Sequence, residues 1–374
     1  MTQARFRIGV DGRAFVSPAG GVRRYVSELY GAMTRVAPDV DVVAVGATAS
    51  TPLPPGVTVR TATPFPTNLG WTAVSLPLAV RGAGLDVFHA PAYTAPLWGV
   101  HPQAVTIHDV SYERKPEWNA YRNDPLRRAF YRKAALAADC VITDSGFSRS
   151  EIAAAYGIPP ERIAVVALAA SDVFGPGPFD AAQAPAGVLE PYALHVGDLH
   201  VRRNIRTALD AMLDLRRQHA WHPPLPRLVC AGIDRGIGAE LTAAAAADPE
   251  ALVLTGPVSE DTLLNLYRGA FALAYPSLYE GFGLPVLEAM QCGVPVAVAS
   301  AGSLPEVAGG AGVVLNPLDV RAWREALTAL WQDAGMRARL RGAGLEHASR
   351  FTWARTAEQT LGVLRRCAAE GRRT

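Results

Sequence analysis

Short runs of apolar, mostly β-branched residues recur along the whole chain, at 6–11, 41–46, 86–90, 104–108, 140–144 and 163–168, then again at 192–196, 227–231, 252–255, 271–275, 294–299 and 312–315. Between them lie longer stretches whose apolar positions repeat at helical spacing. A run that is apolar throughout, rather than alternating, belongs to a strand buried on both faces. Such strands alternating with helices predict a parallel sheet covered by helices on either side, an α/β fold, and the scheme occurs once in each half of the chain. Gly20-Gly21-Val22 opens a helix that runs to about Met33. Pro125, whose fixed φ suits a first helical turn, opens another through Ala138.

Between the halves, Phe174-Gly175-Pro176-Gly177-Pro178 and Ala184-Pro185-Ala186-Gly187 carry no periodic apolar pattern. Their proline and glycine content reads as a linker at 172–190, which places the domains at 1–175 and 190–352. A last helix begins at Trp353, with Ala357, Thr360, Leu361 and Leu364 at helical spacing, so residues 353–374 pack on a partner rather than standing free.

The 374 residues are 49% apolar, 19% charged and 8% aromatic, with a formal net charge of +2. That composition excludes a disordered tail, a collagen and a small disulfide scaffold, and the near-zero charge argues against a general nucleic-acid binder. No run approaches the roughly 18 to 20 uncharged apolar residues that cross a bilayer. Arg5, Arg7 and a strand-like segment stand where a signal sequence would begin, so the chain reads as cytosolic. Cys140, Cys230, Cys292 and Cys367 are far apart and lie mostly in or beside apolar runs, which reads as buried thiols rather than bridges or a metal cluster.

The most informative stretch runs from Tyr275 to Met290, Tyr-Pro-Ser-Leu-Tyr-Glu-Gly-Phe-Gly-Leu-Pro-Val-Leu-Glu-Ala-Met. A buried strand ends at Tyr275, a loop with two glycines follows, and Pro285 fits the first turn of a helix. Main-chain N–H groups at such a junction lack partners and favour an anion, typically a phosphate, while glycine lets a ligand approach the backbone. Glu280 and Glu288 bracket the loop and accept hydrogen bonds from hydroxyls, as sugar and ribose recognition requires. The plainer alternative is a solvated Glu280 and a Glu288 that complements the helix dipole.

These residues resemble the retaining family 4 glycosyltransferases of GT-B fold, whose signature is two glutamates separated by seven residues around a glycine loop. The resemblance extends in order over nearly the whole chain. It takes in Gly20-Gly21-Val22, Phe88-His89-Ala90-Pro91, Ile107-His108-Asp109-Val110-Ser111, Asp144-Ser145 with Ser148, Val196-Gly197 with Arg202-Arg203-Asn204, Gly256-Pro257-Val258, Ser303-Leu304-Pro305-Glu306-Val307 and Phe351-Thr352-Trp353.

What it implies is two Rossmann-like domains with a cleft between them, the first binding the acceptor and the second the nucleotide sugar, and a C-terminal helix crossing back to the first domain. Glu288 would hold the ribose hydroxyls. Glu280, with the backbone of Phe282, Gly283 and Leu284, would hold the transferred sugar, and Val258 would lie near the base. Arg203, standing where the family usually has lysine, would meet the diphosphate next to Gly197, and its guanidinium forks onto two phosphate oxygens. The further basic residue expected after that glycine is replaced by Asp198 and Leu199, with Arg202 compensating. Gly20 and Gly21 would approach the diphosphate from the first domain. His108 would sit beside the transferred sugar as a catalytic or contacting group, with Asp109 orienting it or binding the acceptor.

The implied activity is a metal-independent hexosyl transfer from a nucleotide-diphosphate sugar, GDP-mannose by preference, to a glycan, lipid-linked or small-molecule acceptor, with no resident cofactor. An epimerase of the same fold and a non-catalytic sugar-nucleotide-binding subunit of a polysaccharide assembly are the alternatives. Arg122, Arg127, Arg128, Arg132 and Lys133, interleaved with Tyr121, Phe130 and Tyr131, suit either a solvated helix face or a peripheral contact with an anionic acceptor or the inner face of the membrane. Asp39-Val40-Asp41 follows Pro38 and leads into a strand, which makes it a surface turn rather than a metal site. No Gly-x-Gly-x-x-Gly opens either half, which weakens a dehydrogenase reading.

Overall fold

The computed structural model describes residues 5–115, 118 and 124–371. They form two units, Met1–Leu168 with Thr352–Thr374, and Ala169–Phe351.

In the first unit, strands β1 (Phe6–Asp11), β2 (Val40–Val45), β3 (Val57–Arg60), β4 (Val87–Ala90), β5 (Gln103–Thr106), β6 (Cys140–Thr143) and β7 (Ile163–Val165) make one sheet in the order β3-β2-β1-β4-β5-β6-β7. Each recorded pairing is parallel. Ile8, Val10, Val42, Val45, Val105 and Val141 are fully buried, as strands covered on both faces require. The chain leaves β1 toward β2 and β3, then returns to lay β4 on the other side of β1. That reversal opens a crevice at the carboxyl ends of β1 and β4, where sheets of this kind bind ligands.

Helix Gly20–Val36 buries Tyr25, Val26, Leu29, Tyr30 and Met33 as a single stripe. Helix Trp353–Gly371 packs on it and on β4 and β5, burying Ala357, Thr360, Leu361 and Leu364 together with Trp353 and Cys367. Thr356 Oγ1 ties its start to Ala167 O at 2.8 Å.

The second unit repeats the design with β8 (Tyr192–Val196), β9 (Arg227–Ala231), β10 (Leu252–Gly256), β11 (Ala270–Tyr275), β12 (Val296–Ala299) and β13 (Val313–Leu315), ordered β10-β9-β8-β11-β12-β13 and again parallel. Its switch point lies between β8 and β11.

Two features differ from the sequence reading. Strand β3, which pairs with β2, was not expected, because its Val-Thr-Val-Arg sequence is half exposed and lacks an apolar run. The stretch 172–190 is no loose linker but part of the second unit. Phe174 packs edge-on to Tyr267 at 5.6 Å between ring centres. Asn265 brackets Asp180, accepting from its N–H and donating to its carbonyl, both at 2.8 Å. Arg268 Nε donates to Gly175 O at 3.1 Å. Side chains distant in sequence thus supply the order that a proline- and glycine-rich segment does not supply for itself.

Cys230, Cys292 and Cys367 are buried and Cys140 partly so, all as free thiols. Among the described residues no helix is long and apolar enough to cross a membrane. Asp39 and Asp41 pair with Arg365 at 2.8 Å and Arg5 at 3.1 Å.

Leu364 is fully buried on the C-terminal helix. Leu364→Ala should lower unfolding stability by about 2–5 kcal/mol, read by urea denaturation.

Candidate active site

In the second unit, Gly197 follows β8 with φ +125°, a conformation that favours glycine, and a Cβ there would lie 3.5 Å from the guanidinium carbon of Arg203. The guanidinium thus lies within ordinary contact distance of this turn. Arg203 ends the short turn Val201–Arg203, after which Asn204 takes φ +51° and starts helix Ile205–Gln218. Asparagine tolerates that region, and its side chain holds it there by donating to Pro276 O at 3.2 Å and Pro317 O at 2.7 Å. Leu278 N donates to Arg202 O at 2.9 Å, which fixes the loop after β11 to the Arg202-Arg203 turn.

That loop carries Glu280 against Arg203. Nη1 of Arg203 donates to Glu280 Oε1 and to the Tyr275 hydroxyl. The two side chains of the ion pair are only 15% and 8% exposed, so each charge is tolerated because the other neutralises it. Tyr275 is in turn stacked on His195, ring centres 5.4 Å apart and planes within 19°. His195 is buried beside Arg203, which pushes its pKa down to about 3, and as a neutral imidazole its Nδ1–H donates to Ala274 O at 3.1 Å.

Gly302 and Ser303 hold the loop from behind. Ser303 Oγ lies 3.0 Å from Glu280 O and 2.6 Å from Phe282 O, while Ser303 N donates to Glu280 O at 3.1 Å. Gly302, at φ +62°, passes so close that a Cβ would sit 2.7 Å from Glu280 N. Gly283, at φ +107°, then starts helix Leu284–Gln291 with no side-chain cap. One turn in, Glu288 is buried and its Oε2 accepts from the Tyr267 hydroxyl at 2.8 Å. Burial and the Glu288 charge push the Tyr267 pKa well up, so Tyr267 stays a donor. Val258 stands apart, following β10, two strands away from β8.

In the first unit, His108 follows β5, and its Nδ1 donates to Asp144 Oδ2 at 2.8 Å. This bond to Asp144 orients the ring. Asp109 Oδ1 instead accepts from Ser111 N at 3.1 Å and Ser111 Oγ at 3.0 Å. Burial holds the Asp144 pKa above the usual range, opposed by the neighbouring His108. Ser148 Oγ donates to His108 O at 3.2 Å, Thr143 Oγ1 to Ile107 O at 2.7 Å, and Tyr25 meets the imidazole edge-on at 4.9 Å. Ring and backbone of His108 are therefore both fixed by β6 and the turn after it.

Gly20 and Gly21 open helix Gly20–Val36 without a side-chain cap. Neither has a positive φ, and a Cβ on Gly21 would meet nothing within 4 Å. Nothing in the unit's own packing requires glycine there, although glycine in a helix costs about 1 kcal/mol relative to alanine.

Of the basic run, Tyr121 and Arg122 lie outside the described residues. Arg128 forks onto Glu113 and Tyr131 is buried, so these two do not belong to a solvated face.

The structure thus joins Gly197, Arg203, Glu280, Phe282, Gly283, Leu284 and Glu288 around one end of the second sheet, and ties His108 to Asp144 in the first. Tyr275, Tyr267, Asn204 and Ser303 were given no role from sequence. Asn204 and Ser303 stood inside recognised motifs, but the two tyrosines look like ordinary apolar positions.

Residues 19–169 match the family described as Glycosyltransferase Family 4, and residues 190–333 match Glycosyl transferases group 1. The chain is 33% identical to the O-antigen chain mannosyltransferase B of Escherichia coli over 292 residues, covering 74% of this chain and 73% of that protein. It is 30% identical to the D-inositol 3-phosphate glycosyltransferase of Acidothermus cellulolyticus over 394 residues, covering 95% of this chain and 87% of that one. Among solved structures, sucrose-phosphate synthase from Thermosynechococcus elongatus superposes with a TM-score of 0.75 at 21% identity, over 98% of this chain and 100% of that one. That likeness bears on the fold, two Rossmann-like units of GT-B type.

Two outcomes test this geometry. Ring 15N shifts should show neutral His108 protonated on Nδ1, and Asp144→Ala should abolish that fixed tautomer. Gly302→Ala should destabilise the second unit by about 1–3 kcal/mol in denaturant unfolding, since a Cβ there meets backbone at an unfavourable φ.

Proposed function

The chain belongs to glycosyltransferase family 4, and we propose that it moves a hexosyl group, mannosyl by preference, from a nucleoside-diphosphate sugar to an acceptor hydroxyl, with retention of configuration and without a metal ion. The observation that carries the reading is the nearly buried Arg203–Glu280 pair at the ends of β8 and β11. A nucleotide sugar offers an anionic diphosphate joined to a ring of hydroxyl donors. The pair offers a fork of N–H donors beside a carboxylate acceptor, which is the complementary chemistry on adjacent groups.

Arg203, backed by Arg202 and by the uncapped amides of Gly283 and Leu284, stabilises the negative charge that develops on the leaving diphosphate. Glu280 and the Phe282 backbone hold the transferred sugar, Glu288 the ribose hydroxyls and Val258 the base. The bare Gly197 and the otherwise unnecessary glycines at 20 and 21 let phosphate approach the main chain. His108, fixed through Asp144, contacts the transferred sugar, and Asp109 belongs to the acceptor side. The bond from C1 to the phosphate oxygen breaks, the acceptor oxygen bonds C1 from the same face, and the acceptor proton goes to the departing phosphate. A polysaccharide of the cell envelope is the product class that the mannosyltransferase relative supports.

A thermal-shift panel of UDP, GDP, ADP and TDP with their sugars should single out one nucleotide, since a ligand that binds the folded state alone stabilises it. With that donor, Glu288→Ala should lower turnover at least about 100-fold and Arg203→Ala about 100- to 1,000-fold. Retention is read from the anomeric proton coupling of the product, and EDTA should leave the rate unchanged. Unimpaired turnover in Glu288→Ala would remove the main support. Epimerised donor without transfer would establish the other chemistry of this fold.

A further inference from the structure

Four rings meet on the surface of the second unit, away from the proposed donor site. His219, Trp221 and His222 follow helix Ile205–Gln218, and Trp331 lies at the end of helix Val320–Gln332. Ring centres are 6.1 Å apart from His219 to Trp221, 5.3 Å from Trp221 to His222, 5.9 Å from His222 to Trp331 and 5.7 Å from Trp331 back to His219. The circuit closes, with an imidazole between the two indoles on either side.

Its place follows from the fold. Crossover helices of a parallel sheet run against the strands, so both helices end at the amino edge, opposite the edge that carries Arg203 and Glu280. Helix Ile205–Gln218 starts two residues after Arg203, and its 14 residues span about 21 Å. The cluster is therefore remote from the groups assigned to the reaction.

The four rings are held yet uncovered. Trp331 is half-buried and packs on the core of the unit, His222 N donates to His219 O at 2.8 Å, and Gln332 Nε2 lies 3.4 Å from His219 Nδ1. Trp221 is nevertheless 75% exposed, with His222 exposed beside it. An indole kept in water in a fixed setting presents a large contact area at small conformational cost.

The make-up of the patch selects its ligand. Imidazoles flank each indole and the Gln332 amide adds donors and an acceptor, so the apolar area is one ring wide and rimmed by hydrogen-bonding atoms. A pyranose has the same division, a face of C–H bonds edged by hydroxyls. A protein partner would need a continuous apolar centre, which alternating indole and imidazole do not provide. The guanidiniums next to the cluster are engaged, Arg337 Nη1 on Leu330 O at 2.8 Å and Trp331 O at 2.6 Å, and Arg217 on Asp214. The patch thus suits a neutral ligand rather than a phosphate or an anionic membrane.

We propose that this cluster is a separate, non-catalytic glycan site, which stacks a pyranose of a neutral polysaccharide on Trp221 and bonds its hydroxyls through His219, His222 and Gln332. Naming that polysaccharide as the enzyme's own product rests on the transferase reading, but the stacking chemistry stands on these side chains alone. The site then keeps the enzyme on the polymer it extends, so that successive transfers need not each begin with a new encounter.

The test is native electrophoresis of the full chain through gels containing α-mannan, dextran or galactan, against a gel without polysaccharide. At least one polysaccharide should retard the protein. Trp221→Ala, at an exposed position, should weaken the apparent affinity about 5- to 10-fold with unchanged far-UV circular dichroism, while Trp221→Tyr, which keeps a ring, retains most of it. Glu288→Gln, in the proposed donor site, should be retarded as fully as the unsubstituted chain.

No retardation in any gel overturns the proposal, and so does retardation that Trp221→Ala leaves unchanged. Retardation lost in Glu288→Gln overturns it too, since the polymer then lies in the reaction site. The donor thermal shift, measured on the same protein, separates the two readings. A donor shift without retardation sinks the glycan site alone, whereas retardation that depends on Trp221, without any donor shift, leaves the site and removes the transferase.

Discussion

The second unit is organised around one electrostatic constraint: a guanidinium and a carboxylate are kept almost out of water beside each other at the end of a sheet. Neither charge would be tolerated there alone, because the desolvation of an unpaired ion outweighs what local packing returns. The surrounding structure follows from holding that pair in register. Asn204 accepts a left-handed backbone so that Arg203 turns inward, Gly197 takes a φ of +125° that favours glycine where the guanidinium lies, and Gly302 with Ser303 braces the loop that delivers Glu280. Tyr275 and the neutral His195 form a platform under Arg203 that adds no competing charge.

In this arrangement Arg203 and Glu280 satisfy each other. A ligand offering only an anion would take Arg203 and strand a buried carboxylate, and one offering only hydroxyls would do the reverse. A molecule joining both functions satisfies the two partners together. On the proposed reading, selectivity for the intact donor would follow from the mutual dependence of two charges as much as from the fit of either half.

Much of this was legible in the sequence, and the boundary is physical. Twelve strands announce themselves by their apolar runs, while β3 stays silent because its Val-Thr-Val-Arg sequence is half exposed and has no such run. The glutamate loop is visible because glycine, proline and carboxylates cluster within one turn of chain. Partners that meet only in three dimensions are not. Nothing near His108 in sequence points to Asp144 over Asp109, and the closer carboxylate is the one occupied locally by Ser111. Likewise 172–190 reads as a linker because its anchors, Asn265, Tyr267 and Arg268, come about ninety residues later.

The closing helix also sets an order of events during synthesis. Trp353–Gly371 covers the apolar stripe of Gly20–Val36, yet it is made only after the whole of Ala169–Phe351. The second unit is in effect an insertion into the first, and its residues are contiguous while those of the first are not. At roughly 5–20 residues per second, the amino-terminal sheet waits on the order of ten to forty seconds with that layer uncovered, while the later unit can reach its final form ahead of the earlier one. A ribosome that stops just before Trp353 therefore releases a chain whose second unit is whole and whose first is open along its helical face, a distinct species for chaperones and proteases to recognise.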